Sequence, residues 1–506
     1  MTKTKAELFE ATFSRRVLIA PVTTTAELVH SGHLADRGFW EDVDAEGQPG
    51  RGGSGPVRFP GAFAKFSATP LPPQPMPAAL GAHTLEVRAE PPRAVARPDG
   101  PPPVGGLPLA GLKVADFMWV FAGPWASRAL ADLGATVVRV ESMHHLDTLR
   151  TAGNFQDDRT DPEWALQFGN MNAGKLGLAL DLSKPEARDV ARDLVRWADV
   201  ALESFTPKAM RGLGLDYESL RKVKPDLVMA SSCLMGQTGR HSALAGFGTM
   251  AAAVSGFFHV TGWPDRAPCG PFGAYTDYVS PRFLLASVLA ALEWRRRTGQ
   301  GQYIDLSQAE ASMRLLAPAV LDYTVNGRVV ERQGNDDVSF APHGVYPAFG
   351  EDQWVAIAVA SDEQWRALCE VLPRADLAGL SGLSGAARRA RRRELDELLC
   401  AWTRGCPAGE VMELLQRAGV PAHQVQNTVE AFADPQLRHR GHFVQVPQSA
   451  MGQTWVEGSR LRLSRTPARV ERGAPTIGEH SWQVLTEVLG YDEDRAAELA
   501  VAGVFE

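Results

Sequence analysis

The sequence predicts an α/β protein built on a mostly parallel sheet with helices on both faces. Two observations carry that reading. Short apolar runs alternate with helical stretches through the middle of the chain, and the helical stretches carry proline near their starts or glycine at their ends. The composition fits it: 44% apolar and 22% charged residues in 506, room for about three domains at the usual ~150 residues each.

"LKVADF" reads as a strand, "AGPWASRALADLGA" as a helix with Pro124 near its first turn and Gly134 at its end, and "TVVRVE" as a second strand. This is one β-α-β unit. The next begins with "LGLALDL". Ser183 and Glu186 match a capping box with Pro185 inside the first turn, and Ala187, Val190, Leu194 and Ala198 line one helical face. "DVALESF" resumes as a strand, a short helix spans 216–223, and "DLVMASS" follows as a strand. A long helix is expected from Ser280, as its cap, to Arg297. "YIDLS" is then a strand, and a further helix carries Met313, Leu316 and Val320. Residues 344–405 read as a smaller α+β unit, and 91–107, rich in Pro and Gly, as a linker.

The two ends of the chain resemble each other. Residues 22–38 and 425–441 align without a gap and share Val22, Thr25, Glu27, Leu34, Arg37 and Gly38. Past a glycine-rich insertion, Gly61, Ser67, Thr69, Pro70, Gly81 and His83 meet Gly458, Ser464, Thr466, Pro467, Gly478 and His480. A duplicated large module would leave this trace, with the first ~90 residues as the tail of a preceding copy and a packing or capping element.

A net charge of -7 argues against nucleic-acid and anionic-membrane partners. Five cysteines without metal-ligand spacing read as free thiols of a reducing compartment, and no metal site is expected. The start has no apolar signal region, and the apolar run Phe283–Leu292 is too short to span a bilayer; a cytoplasmic location is expected. The β-α-β units lack dinucleotide and P-loop fingerprints, and no G-x-S-x-G or H-E-x-x-H occurs. His144 and His145 read as surface residues, and the run "RRARRR" at 388–393 as the solvated face of a helix. What remains is a set of glycine-bearing loops at predicted strand ends: "FAGP", "NMNAGK", "GQTG" and "GPFGAYTD". In a parallel sheet such loops form the ligand crevice, and their N–H groups suit a phosphate-bearing ligand. Lys175 is either an added cation there or a solvated lysine at a strand entry. Asp277, alone between Tyr275 and Tyr278, is either a helix-entry acid or a working group.

The stretches "LAGLKVADFMWVFAGPWASRALADLGATVVRVE", "NAGKLGLALDLSKPEAR", "ADVALESFTPKAMRGLGLDYESL", "TGWPDRAP", "RRRTGQGQYIDLSQAE" and "GNDD" resemble, in order, the motifs of the class III CoA-transferases, which include carnitine and formyl-CoA transferases and the related α-methylacyl-CoA racemases. The resemblance covers about 107–490, and again 5–90 as an isolated copy of the family's C-terminal segment. It implies a Rossmann-like large CoA-binding domain over 108–325, a small α+β domain over 326–430, a segment over 431–506 returning to the large domain, and an interlocked dimer of two threaded chains. It places the nucleophile at Asp277 and CoA contacts at Val120, Ala122, Asn172, Lys175 and Gln237. The implied reaction passes CoA from an acyl-CoA to a carboxylic acid through mixed anhydrides and an aspartyl-CoA thioester, which conserves the thioester energy.

Two alternatives accompany it. A racemase needs an acid/base pair, but Phe247 and Gly248 stand where the racemases carry His and Asp, and neither moves a proton. A subunit or fragment of a two-module transferase would need a partner, so the assembly is either a homodimer or a heteromer with a related chain. Trp119 and Phe121 replace polar residues that some members carry, which favours a bulky or aromatic acyl group. Arg282 is either a substrate-carboxylate contact or a surface residue, and at most one of Tyr275 and Tyr278 is expected to bond Asp277.

Overall fold

The computed structural model describes residues 2–15, 17–44, 56–92, 106–372 and 379–506. Most of the linker read at 91–107 lies outside them. The described residues form two compact units, one of residues 1–260, 270–330 and 441–506, the other of 261–269 and 331–440. The sequence places 261–269 in the large domain, whereas the structure groups them with the second unit.

The first unit is organised by a seven-stranded sheet. Its strands are β3 (Lys65–Phe66), β4 (Lys113–Phe117), β5 (Thr136–Glu141), β6 (Leu176–Ala179), β7 (Val200–Glu203), β8 (Val228–Cys233) and β9 (Gln302–Ser307), in the order β3-β9-β8-β7-β4-β5-β6. β9 through β6 run parallel, and β3 joins the β9 edge antiparallel. Every residue of β6, β7 and β8 is buried, because helices cover both faces and leave no strand position for water. One core packs the helix Pro185–Trp197 on Val138, Leu178 and Met229; the other packs Ala126, Leu130, Leu284 and Val288 on Val114, Val228 and Ile304.

Two helix starts differ from the sequence reading. The helix Pro185–Trp197 has Lys184 as its N-cap with no side-chain cap bond, because Ser183 lies outside the helix and its N–H donates to Asp181 Oδ1. The long helix runs Tyr275–Thr298, so Ser280 and Pro281 lie inside it and Asp277 sits in its first turn. A Ser-Pro pair signals a start, but here Pro281 lies inside the helix, where it has no N–H to give the carbonyl of Asp277.

The N-terminal residues belong to this unit and fold as a close counterpart of the C-terminal segment. The helix Thr25–Val29 opens with a capping box between Thr24 and Glu27; the helix Thr428–Ala433 opens with one between Asn427 and Glu430. The hairpin β1 (Trp40–Val43) with β2 (Val57–Pro60) pairs Trp40 with Pro60 and Val43 with Val57. In the hairpin β13 (Phe443–Gln448) with β14 (Gly452–Glu457), the aligned residues pair identically, Phe443 with Glu457 and Val446 with Thr454. Gly38 and Gly441 share the left-handed conformation, at φ 59° and 60°. The N–H groups of Gly61 and Gly458 donate to the aligned carbonyls of Phe39 and His442. The N-terminal segment is anchored by Arg37, whose buried guanidinium pairs with Glu310 and Asp305 and donates to Thr238 Oγ1.

The second unit holds a three-stranded antiparallel sheet, β10 (His343–Pro347), β11 (Trp354–Ala358) and β12 (Ala422–Gln424), packed on helices through Trp365, Leu368, Leu399 and Leu415. One arginine of the run at 388–393 is not solvated: Arg388 is buried and clamps Asp362 and the carbonyl of Ala341. His144 and His145 are exposed.

Candidate active site

The site grows from the turn between β4 and the helix Ala122–Asp132. Val120 holds φ 65°, a conformation that a β-branched residue adopts only when its surroundings impose it. Here they do. The Trp119 N–H donates to Ser204 Oγ at 2.9 Å, and the Val120 N–H donates to the Asp147 carboxylate at 3.0 and 3.1 Å. Asp147 is itself fixed by Arg139.

Below this turn lies Lys175, fully buried. Its Nζ donates to Asp116 Oδ2 (2.9 Å), Ser127 Oγ (2.7 Å), Asn172 Oδ1 (2.9 Å) and the carbonyl of Pro124 (3.1 Å). Burial pushes its ammonium down to about 8, against the pull of Asp116. Lys175 and Asn172 are thus turned into the protein, where they tie the strand entering β6 to the helix Ala122–Asp132. They do not line the cavity described next. Gln237 also faces inward: its N–H donates to Asp305 Oδ1 and its Nε2 to the carbonyl of Phe205. A lysine's burial is not written in its neighbours, which is why the sequence left Lys175 open.

Val120 and Ala122 do reach a cavity of about 230 Å³, together with Asp277. Trp119, Phe121, Phe205 and Phe247 supply aromatic walls, and Ser232, Cys233 and Gln308 supply polar atoms. Trp119 meets Phe205 edge-on at 5.4 Å, and Phe121 meets Tyr278 edge-on at 5.0 Å. Ser232 Oγ and Gln308 Oε1 are buried without a hydrogen-bond partner among the described residues. Both border the cavity, so a bound molecule there has polar atoms to meet. Sequence reasoning missed both, since neither falls in a glycine-bearing loop.

Asp277 is only 4% exposed. Burial pushes its carboxyl up to about 7, opposed by one hydrogen bond, from the Gly248 N–H to Oδ2 at 3.0 Å. Neither Tyr275 nor Tyr278 bonds it; Tyr275 packs on Phe257 and Tyr278 on Phe121. Arg282 is exposed and stacks over Trp125 at 5.0 Å. The arrangement presents a desolvated carboxylate, at the start of a long helix, to a cavity of mixed aromatic and polar lining. A carboxylate so stripped of water is a stronger nucleophile, and the helix start favours its charge.

The model of CoA-transferase family III matches residues 109–481. A succinate–glutarate CoA-transferase of Agrobacterium fabrum is 34% identical over 386 residues, covering 75% of this chain and 96% of its own. The beta subunit of a succinyl-CoA–L-malate CoA-transferase of Chloroflexus aurantiacus is 31% identical over 398 residues, covering 78% and 97%. A crystal structure of a CAIB/BAIF family protein from Brucella suis superposes with a TM-score of 0.68 at 30% identity, covering 76% of this chain and all of that one. This chain belongs to CoA-transferase family III and is an enzyme of CoA transfer that works on CoA thioesters.

Proposed function

We propose that the enzyme moves CoA from an acyl-CoA to a carboxylic acid through covalent intermediates on Asp277. The observation that carries this reading is the isolated Asp277 carboxylate, buried and held by one N–H, bordering a cavity of mixed aromatic and polar lining. A carboxylate oxygen of Asp277 attacks the thioester carbonyl, giving a mixed anhydride and CoA thiolate. The thiolate attacks the aspartyl carbonyl, which leaves an aspartyl-CoA thioester and frees the donor acid. The acceptor carboxylate attacks this thioester, and the expelled thiolate then attacks the acceptor's acyl carbonyl, restoring Asp277. No net proton is moved, and thioester energy is kept as long as water stays out.

A racemase would need a second acid/base group beside the substrate. The other titratable side chain lining the cavity is Cys233, whose thiol burial pushes well above its usual range. That supports transferase over racemase.

Ser232 Oγ and Gln308 Oε1 offer polar partners to the substrate, and Val120 and Ala122 border the reacting centre. The named relatives pair succinate or succinyl-CoA with a second small acid, which supports a succinyl donor. Trp119, Phe121, Phe205 and Phe247 support an acceptor with an apolar or aromatic body. Alpha and beta subunits among the relatives support a two-chain assembly.

The test uses an acceptor acid labelled with ¹⁸O in its carboxylate. Anhydride chemistry carries label through Asp277 into the released donor acid over successive turnovers. Acyl-CoA formation without ¹⁸O in the donor acid contradicts the reading.

A further inference from the structure

The family match begins at residue 109, yet one stretch of the matched region is held along its length by residues far before it. After β8, Ser232, Cys233 and Leu234 line the Asp277 cavity, and the chain returns to line it again from Leu244 to Phe247. Gly248 follows, and its N–H holds Asp277. The loop between the two lining runs is moulded on the N-terminal segment.

His33, fully buried in the short helix Gly32–Asp36, meets that loop at both ends. Its Nδ1 accepts the His241 N–H at 3.1 Å, so Nε2 carries the proton and donates to the carbonyl of Met235 at 2.9 Å. The His241 ring is stacked between His33 and Phe13, at 5.3 and 5.2 Å, with Phe9 edge-on at 4.9 Å. One turn on from His33, Arg37 donates to Thr238 Oγ1 at 2.9 Å and pairs with Asp305, whose other oxygen accepts the Gln237 N–H at 2.9 Å. The fit is close. A Cβ at Gly236 would collide with the Arg37 guanidinium, and one at Gly239 would lie 2.8 Å from the His33 ring. Farther on, the Thr23 N–H donates to the carbonyl of Ala253 at 3.2 Å, and Leu28 packs with Ala251 and Val254. The helix Gly248–Val254 is therefore held at its far end too. The aligned position in the C-terminal counterpart is Gln436, so the imidazole belongs to this copy alone.

We infer that His33 and Arg37 are positioning residues of the transfer reaction: by fixing the loop 235–241 they set Phe247 and Gly248, and through the Gly248 N–H the carboxylate of Asp277. This rests on the proposed nucleophile and extends its support to residues outside the family-matched region. The segment that resembles the tail of a preceding copy is then a part of the working enzyme.

Two variants of His33 separate positioning from stability. His33→Gln reaches the Met235 carbonyl, where Nε2 stood, and leaves the His241 N–H without its acceptor. His33→Asn places an oxygen where Nδ1 stood and gives up the Met235 carbonyl instead. Each loses one bond of the pair, so their thermal melts should drop alike. Turnover is measured against the number of working sites, counted as the hydroxamate that hydroxylamine forms at Asp277. In His33→Gln, kcat per working site is expected to fall about tenfold or more with KM for the acyl-CoA within about twofold of wild type, the pattern of a misplaced reacting group. His33→Asn is expected to restore most of that rate. Wild-type kcat per site in His33→Gln overturns the inference. So does an equal fall in both variants, or a loss of working sites in step with kcat, since either marks a role in stability alone. Phe13→Leu removes one face of the His241 stack, leaves His33 in place, and serves where neither His33 variant folds. There a fall in kcat per site of about threefold or more with KM held supports the inference, and an unchanged kcat per site overturns it. If the wild-type enzyme forms no hydroxamate at Asp277, the proposed function falls, and this inference with it.

Discussion

The Gly248 N–H donates to Asp277 Oδ2 at 3.0 Å, and Gly248 also leaves that carboxylate its space. A Cβ at position 248 would lie 2.5 Å from Asp277 Cγ and 2.9 Å from the carbonyl of Ala274. The donor and the clearance are two demands met by one glycine. Gly248→Ala is therefore expected to displace the carboxylate and lower kcat by about 10²-fold, the usual scale for an ångström of misplacement. Steady-state kinetics beside a thermal melt would check it. Activity within a few-fold of wild type would show that the carboxylate tolerates the shift.

Titration of Asp277 sets a second expectation. Burial raises its carboxyl from 3.8 to about 7, and only the ionised form attacks, so kcat/KM should rise with pH up to about 7 and then level off. The stability effect has the opposite sense. The folded state holds this proton more tightly than the unfolded chain, so stability contributed by protonated Asp277 is lost as pH rises from about 4 to 7. Asp277→Asn keeps the shape without the charge. It should be inactive yet more stable than wild type above pH 7, by an amount on the order of 4 kcal/mol at most, with a smaller gain at pH 5. Denaturant melts at the two pH values would measure it.

Lys175 separates a structural from a substrate role. Its four partners are all protein groups, so Lys175→Met strands Asp116 as a buried unpaired charge. The expected cost is about 3–5 kcal/mol of stability. In whatever fraction stays folded, KM for the acyl-CoA should be near normal. A stable variant with a raised KM would instead return Lys175 to the ligand.

Gln308 has the opposite signature. Its Oε1 has no partner among the described residues and borders the cavity, so Gln308→Leu removes no protein contact of that atom. The variant should keep its melting temperature and lose about tenfold in kcat/KM, the scale of one lost hydrogen bond to a bound substrate. An unchanged kcat/KM would exclude Gln308 from substrate binding.

Much of the frame was legible because parallel strands buried on both faces begin as short apolar runs, as "VAL" and "VMA" do in β7 and β8. The matched glycines of the two termini marked backbone demands, and Gly38 and Gly441 do adopt the same left-handed conformation. Asp277 stood out from its surroundings, but the nucleophile role proposed for it comes from the family resemblance rather than from spacing. The misreadings share one cause: local signals competed with tertiary packing. Ser280-Pro281 looks like a helix start, while the helix had already begun at Tyr275. Arg388 sits in a run of arginines and is buried, because Asp362 and the Ala341 carbonyl wait for it. Asn172 and Lys175 flank the glycine turn at Gly174 and bond each other inside the protein, and Ser232 and Gln308 acquire meaning only when the ends of β8 and β9 are brought side by side.

The central claim is that Asp277 becomes covalently linked to CoA, and mass spectrometry of the protein incubated with an acyl-CoA tests it most directly. The expected result is a CoA adduct on the peptide carrying Asp277, replaced by a hydroxamate after treatment with hydroxylamine and absent in Asp277→Asn. Turnover of acyl-CoA and acid with no adduct or hydroxamate on that peptide would contradict the account.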